Sequence, residues 1–396
     1  MKILFIHHSG LVGGAGVSLI NLLKETAISY DVTVSLPNDP QDMINLAIEN
    51  KINNDFRIDS YGRRIGALTW YSGGDKWWSL RFWYRISLII FQWQYWNQYI
   101  DSINPDLIIC NSKILCWMSL LPSIKRRKSI CFVRETMNKT YKHILNKIIK
   151  FCLDHFTGVA FISEFDRKVE SLKKSKTFTI PNYVDINKLN KDISRTEACD
   201  QLKISSKNFN VLYVGGVFPL KGFDFALKAI LNCSKNVHLI VAGVTFDDVK
   251  DLKSSSLKRY SEIWQNFITE KDIGRRIHIL GKQLNMSACY ASCDVLIFPM
   301  REPHQARPIF EAGYFSKPVI VTDFNCVHND VQNKINGYLV PLGDVEAISE
   351  KIMYLYSHPN ECLCMGRKNH EFYKLNHSYE SSIKLFRNCI EEILKI

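Results

Sequence analysis

Short apolar runs alternate with helical periodicity from one end of the chain to the other, which is the pattern of parallel α/β layers. In the first half the strand-like runs fall at 2–8, 31–36, 105–112, 129–135 and 158–163. A charged stretch with little apolar periodicity, 187–208, reads as a linker with a short helix. A second series follows at 209–216, 237–243, 276–281, 294–299, 318–323 and 337–341. Two α/β halves are predicted, and ligands of such sheets bind beyond the carboxyl ends of the strands.

The length of 396 residues suits two domains, each with its own core. With 46% hydrophobic and 23% charged residues the composition is globular, not disordered. No apolar run reaches eighteen residues, and MKILFIHHSG lacks the apolar core and cleavage site of a signal peptide, which predicts a cytoplasmic chain. The twelve cysteines contain no C-x-x-C pair and read as small buried hydrophobes. A net charge of +12 needs an explanation. No nucleic-acid-binding motif is present, which leaves nucleotide phosphates, an anionic membrane face, or a basic chain without functional meaning.

Residues 68–100 hold six of the eight tryptophans: Trp70, Trp77, Trp78, Trp83, Trp93 and Trp96. Phe82, Ile86, Ile89, Ile90, Trp93 and Trp96 fall at helical spacing, with Arg81 and Arg85 among them. Such a helix either docks on a membrane surface or packs its aromatics into the first core. The run Lys125-Arg126-Arg127-Lys128 is a candidate second membrane contact.

The densest chemistry lies at 300–323, where a strand ends at Pro299 in a polar loop. Pro308 suits the first turn of a helix, whose amides and dipole favour a phosphate. Glu311 lies one turn in, on the face of Arg307; it either accepts the two hydroxyls of a ribose or simply pairs with that arginine. Two glycine-rich loops follow first strands. Val214 to Gly222 reads V-G-G-V-F-P-L-K-G, a phosphate loop or a plain turn before a helix, and Gly13 to Gly16 reads G-G-A-G. The latter lacks the G-x-G-x-x-G spacing of dinucleotide binding.

Taken together these stretches resemble the family 4 retaining glycosyltransferases (glycosyl transferases group 1). Glu311-Ala312 matches the second glutamate of the family's E-x7-E signature. The first is matched either by Glu302, with one extra residue in the loop, or by His304 taking over the sugar contact. The phosphate loop is similar to V-G-R-x-x-P-x-K-G, with Lys221 present and Gly216 where the family has arginine. Gly13 to Gly16 resembles the G-G-A-E loop, and I-P-N-Y-V-D at 180–185, Y-A-S-C-D-V at 290–295 and N-G-Y-L-V-P at 336–341 resemble further landmarks in family order.

The resemblance implies a GT-B fold: two Rossmann-like domains facing across a cleft, 1–186 for the acceptor and 187–376 for the donor, with a helix at 377–396 crossing back to the first. It implies retaining transfer from a UDP- or GDP-type sugar to a hydroxyl, with no cofactor and no metal. The donor side would comprise Gly14, Gly215, Gly216, Lys221, Arg307, Pro308, Ile309 and Glu311. The candidates nearest the chemistry are Glu302, His304, Arg134 and Glu135, the last two being alternatively a salt-bridged strand end; His7 and His8 are read either way. The basic, aromatic-rich surface points to a glycan acceptor linked to a membrane lipid, in surface polysaccharide synthesis, with the chain peripheral on the inner face of the cytoplasmic membrane. A non-catalytic sugar-nucleotide-binding relative and a sugar-nucleotide epimerase are the alternatives.

Overall fold

The computed structural model describes residues 1–51, 55–62, 64–68, 79–135, 143–250, 254–283, 285–303 and 307–396. By its internal contacts the chain forms two units, Met1–Asn182 with Ser382–Ile396, and Tyr183–Ser381.

The first unit holds a seven-stranded sheet of β1 (Lys2–Ile6), β2 (Asp31–Pro37), β3 (Phe56–Tyr61), β4 (Leu107–Cys110), β5 (Lys128–Val133), β6 (Gly158–Phe161) and β7 (Lys176–Thr179), in the order β3-β2-β1-β4-β5-β6-β7. Every pairing is parallel. Parallel sheets are covered on both faces, so their inner strands read as continuous apolar runs; Leu4, Phe5 and Ile6 are all fully buried. The two strands that the periodicity does not predict, β3 and β7, are the two edges. Each carries polar residues, FRIDSY and KTFT, and lacks such a run.

The Leu80–Ile103 helix is started by Ser79, whose hydroxyl accepts from the Phe82 amide at 3.2 Å, and stopped by Asn104 in the left-handed conformation (φ 49°). Trp96 and Ile100 are buried in the core of the first unit, with Trp93 packed against it, while the rest of the described helix is half-buried or exposed. The described part of the aromatic stretch is therefore packed into the core on one side and exposed on the other, and Trp70, Trp77 and Trp78 lie outside the described residues. In the basic run, Arg126 and Arg127 are bound to Asp101. From Ser382 onward the Tyr379–Lys395 helix belongs to the first unit, where Phe386 lies 6.0 Å from the Phe132 ring and Arg387 pairs with Glu25.

The second unit is built on β8 (Phe209–Val214), β9 (Val237–Ala242), β10 (Ile277–Gly281), β11 (Val295–Phe298), β12 (Val319–Thr322) and β13 (Gly337–Val340), all parallel in the order β10-β9-β8-β11-β12-β13. All six coincide with expected runs, trimmed at their ends. The expected short helix is Arg195–Gln201, capped by Ser194. The twelve cysteines are free thiols, eleven of them buried and Cys364 exposed.

Candidate active site

The middle strands β8 and β11 are neighbours, and the loops that leave their carboxyl ends are interlocked. β8 runs through Gly215-Gly216 into a 3-10 turn, Pro219–Lys221; β11 runs into Pro299 to Pro303. The Arg301 amide donates to the Leu220 carbonyl at 3.1 Å, and its Nε to the Pro219 carbonyl at 3.0 Å. Its Nη2 donates to Asp224, and the guanidinium lies 4.0 Å from the Phe225 ring centroid. Asp224 is buried, and its other oxygen accepts from Tyr260 at 2.9 Å. Gly222 closes the turn at φ 79°, where a Cβ would run into the Pro299 carbonyl oxygen.

Lys221 is half-buried, its Nζ 5.2 Å from the centroid of the Phe298 ring. Burial disfavours the ammonium and lowers its pKa to about 8. An anion beside it would reverse that shift. Gly215 gives the lysine room, since a Cβ there would stand 2.8 Å from Lys221 Cβ. Gly216 sits at φ 66°, and a Cβ would collide with the Val244 amide nitrogen. The arginine expected of the family at this position is thus excluded by backbone shape as well as by sequence.

The helix after β11 is described from Arg307 to Tyr314, which puts Pro308 in its first turn. Ile309 is buried. Glu311 Oε2 accepts from the Tyr290 hydroxyl at 2.7 Å, and the buried Tyr290 ring stacks on Phe315 at 5.5 Å. Burial raises the Glu311 pKa, while the Arg307 charge and the Tyr290 bond pull it back. Glu302 is half-buried in the interlocked loop; His304 lies outside the described residues.

In the first unit Gly14 opens the Gly14–Ala27 helix. The Arg134 and Glu135 side chains both reach into neighbouring loops. Arg134 Nε donates to Asn111 Oδ1 at 2.8 Å and Nη1 to Asn182 Oδ1 at 3.0 Å, and Asn182 also accepts from Ser18. Glu135 accepts from the Ser112 hydroxyl at 2.5 Å and the Lys113 amide at 3.1 Å, fixing the turn after β4. Burial, then His8 and Arg134, hold the His7 pKa well below its usual range; burial takes His8 to about 4. Both imidazoles are neutral at neutral pH.

Three parts of this arrangement are absent from the sequence reading. Arg301 and Asp224 carry no motif of their own, although Arg301 directly precedes Glu302. Tyr290 stands in a matched landmark, but nothing in the spacing shows that its hydroxyl reaches Glu311.

Comparison with known proteins bears on the second unit most directly. Residues 194–372 match the family model "Glycosyl transferases group 1". An uncharacterised glycosyltransferase of Methanocaldococcus jannaschii is 27% identical over 184 residues, 46% of this chain and 48% of that protein. The UDP-Gal:α-D-GlcNAc-diphosphoundecaprenol α-1,3-galactosyltransferase of Escherichia coli is 25% identical over 180 residues, 43% of each. The matched stretches are about half the length of these curated relatives. The crystal structure of Anabaena Alr3699/HepE in complex with UDP-glucose superposes with a TM-score of 0.78 over 100% of both chains, at 18% identity. Residues 194–372 accordingly match the glycosyl transferases group 1, in a chain of GT-B fold.

Proposed function

We propose that the chain is a retaining glycosyltransferase that moves a sugar from a UDP- or GDP-type donor to a hydroxyl. One observation carries the reading: the loop holding Lys221 is locked to the loop that leads from β11 towards the Glu311 helix. Lys221 and the amides of Arg307 and Ile309 hold the diphosphate, and Glu311, aimed by Tyr290, accepts the ribose hydroxyls. Charge neutralisation falls to these groups rather than to a metal ion. The bond from the anomeric carbon to the phosphate oxygen breaks as the acceptor oxygen bonds on the same face. The acceptor's proton passes to the departing diphosphate, so the protein positions substrates and stabilises charge. Glu302 or His304 contacts the transferred sugar; Gly14, Arg134 and Glu135 shape the acceptor side.

The acceptor in this reading is a polyprenyl-diphosphate-linked glycan of a surface polysaccharide, handled at the cytosolic face of a membrane. The Escherichia coli relative, which acts on a diphosphoundecaprenol-linked sugar, supports it.

The test is a thermal-shift screen of nucleotide sugars, followed by transfer assays with membrane extracts. A true donor at a hundred times its Kd adds ~2.7 kcal/mol of stability. Glu311→Ala should abolish that shift and the transfer while the unliganded chain still melts cooperatively. The blocked arginine position at Gly216 favours a second reading, a sugar-nucleotide binder without catalysis. That protein would show the shift and never consume the donor. An epimerase would instead release an altered nucleotide sugar without acceptor.

A further inference from the structure

The first unit turns large apolar side chains to solvent on two helices. Opposite the buried Trp96 and Ile100, the Leu80–Ile103 helix exposes Leu80 (89%), Tyr84, Phe91 (80%) and Tyr95 at helical spacing, with Trp83 and Ile90 (69%) beside them. The His143–Leu153 helix repeats the pattern: Ile149, Cys152 and Leu153 are buried, while Ile148 and Phe151 face outward beside Lys147. The buried sides of both helices join one core cluster with Leu4, Ile6 and Cys131, so both cover the same face of the sheet.

Charge is concentrated in the same stretch. Residues 79–153 contain twelve Lys or Arg against three Asp or Glu, so nine of the chain's twelve net positive charges arise in under a fifth of its length. Neither 80–100 nor 143–153 contains an acidic residue. Among the described residues no helix is long and apolar enough to cross a membrane.

We infer that this two-helix face docks flat on an anionic lipid surface, with Trp83, Ile90, Phe91, Ile148 and Phe151 entering the headgroup–acyl boundary and the basic side chains meeting lipid phosphates. Aromatic and aliphatic groups flanked by cations, with Asp101 the one acidic residue of the two helices and already paired to Arg126 and Arg127, match the boundary of an anionic bilayer and are poorly suited to a basic partner surface. The inference deepens the lipid-linked-acceptor reading and takes its purpose from it, but vesicle binding is measured without any sugar transfer.

The experiment is co-sedimentation of the full chain with phosphatidylcholine vesicles, plain or carrying about one-third phosphatidylglycerol, at low and physiological salt. The chain should pellet with the anionic vesicles, and salt should weaken this. W83S/F91S and, separately, I148S/F151S should each lower binding about tenfold or more, while melting as the parent does because the replaced groups are exposed. Arg81→Glu with Arg85→Glu should remove the preference for anionic lipid. Absence of vesicle binding, or parental binding by both serine pairs, overturns the inference. So does a dimer in light scattering that the serine pairs dissolve while vesicle binding is lacking, since the face would then be a protein interface. Loss of sugar transfer with vesicle binding intact would defeat the proposed activity and leave the docking face standing.

Discussion

Arg301 closes onto Asp224 and so fastens the loop carrying Glu302 to the turn carrying Lys221. Asp224 is buried and Arg301 about two-fifths exposed, so the pair is screened on one side only. Removing one partner of a fully buried pair costs ~3–5 kcal/mol, and the exposure of Arg301 reduces this to about 1–3 here. Arg301→Met should therefore lower the melting temperature modestly. It should raise the donor KM and lower kcat about tenfold each, with Arg301→Lys recovering part of kcat. An unchanged donor KM in a folded Arg301→Met chain would show that the two loops act independently.

Tyr290→Phe removes the hydroxyl that holds Glu311. A hydrogen bond to a charged group contributes ~1.5–3 kcal/mol, so donor affinity should fall about ten- to a hundredfold. The bond also favours the ionised carboxylate. Its loss lifts a pKa that burial has already raised, and only the ionised form accepts from two ribose hydroxyls. The acid limb of kcat/KM should move to higher pH. A pH–rate series on both chains reads the shift, and coincident limbs would remove Glu311 from donor binding.

Lys221 sets the opposite limb. Its pKa of about 8 in the unliganded chain means that the diphosphate's cation is lost as pH rises through that value. Donor affinity should be full near pH 7 and fall progressively above 8. Lys221→Arg, which stays charged throughout, should flatten the alkaline fall even if its own affinity is lower. A parent profile that stays flat to pH 10 would contradict the assignment.

The second sheet was more legible than the first for a physical reason. Five of its six strands contain an uninterrupted run of three or more apolar residues, and the sixth, the edge strand β10 (IHILG), is broken only by His278, whereas β3 and β7 mix polar residues along their length and lack such runs. The site divides in the same way. Lys221 and Glu311 stand in motifs whose backbone is local, a turn and a helix start. The partners that fix them come from other segments: Arg301 reaches back 77 residues to Asp224, and Tyr290 reaches forward 21 to Glu311. Periodicity carries no information about such pairings. The aromatic stretch was ambiguous because one helix serves both the core and the surface, and spacing alone does not say which side is covered.

Gly216→Arg, the obvious attempt to restore the family's phosphate arginine, should fail. The left-handed backbone and the Val244 amide leave no place for a Cβ, and such overpacking costs ~1–3 kcal/mol. The variant should melt several degrees lower and bind donor no better. Tighter donor binding with unchanged stability would show that the turn yields easily.

The burial of eleven thiols around a lone surface Cys364 makes the chain its own conformational counter. A colourless maleimide applied to the native protein should add one mass increment, and in denaturant twelve. Intermediate mass values would then reveal which half of the molecule opens first, because Cys110, Cys116, Cys131, Cys152 and Cys389 report on the first unit and the remaining buried six on the second.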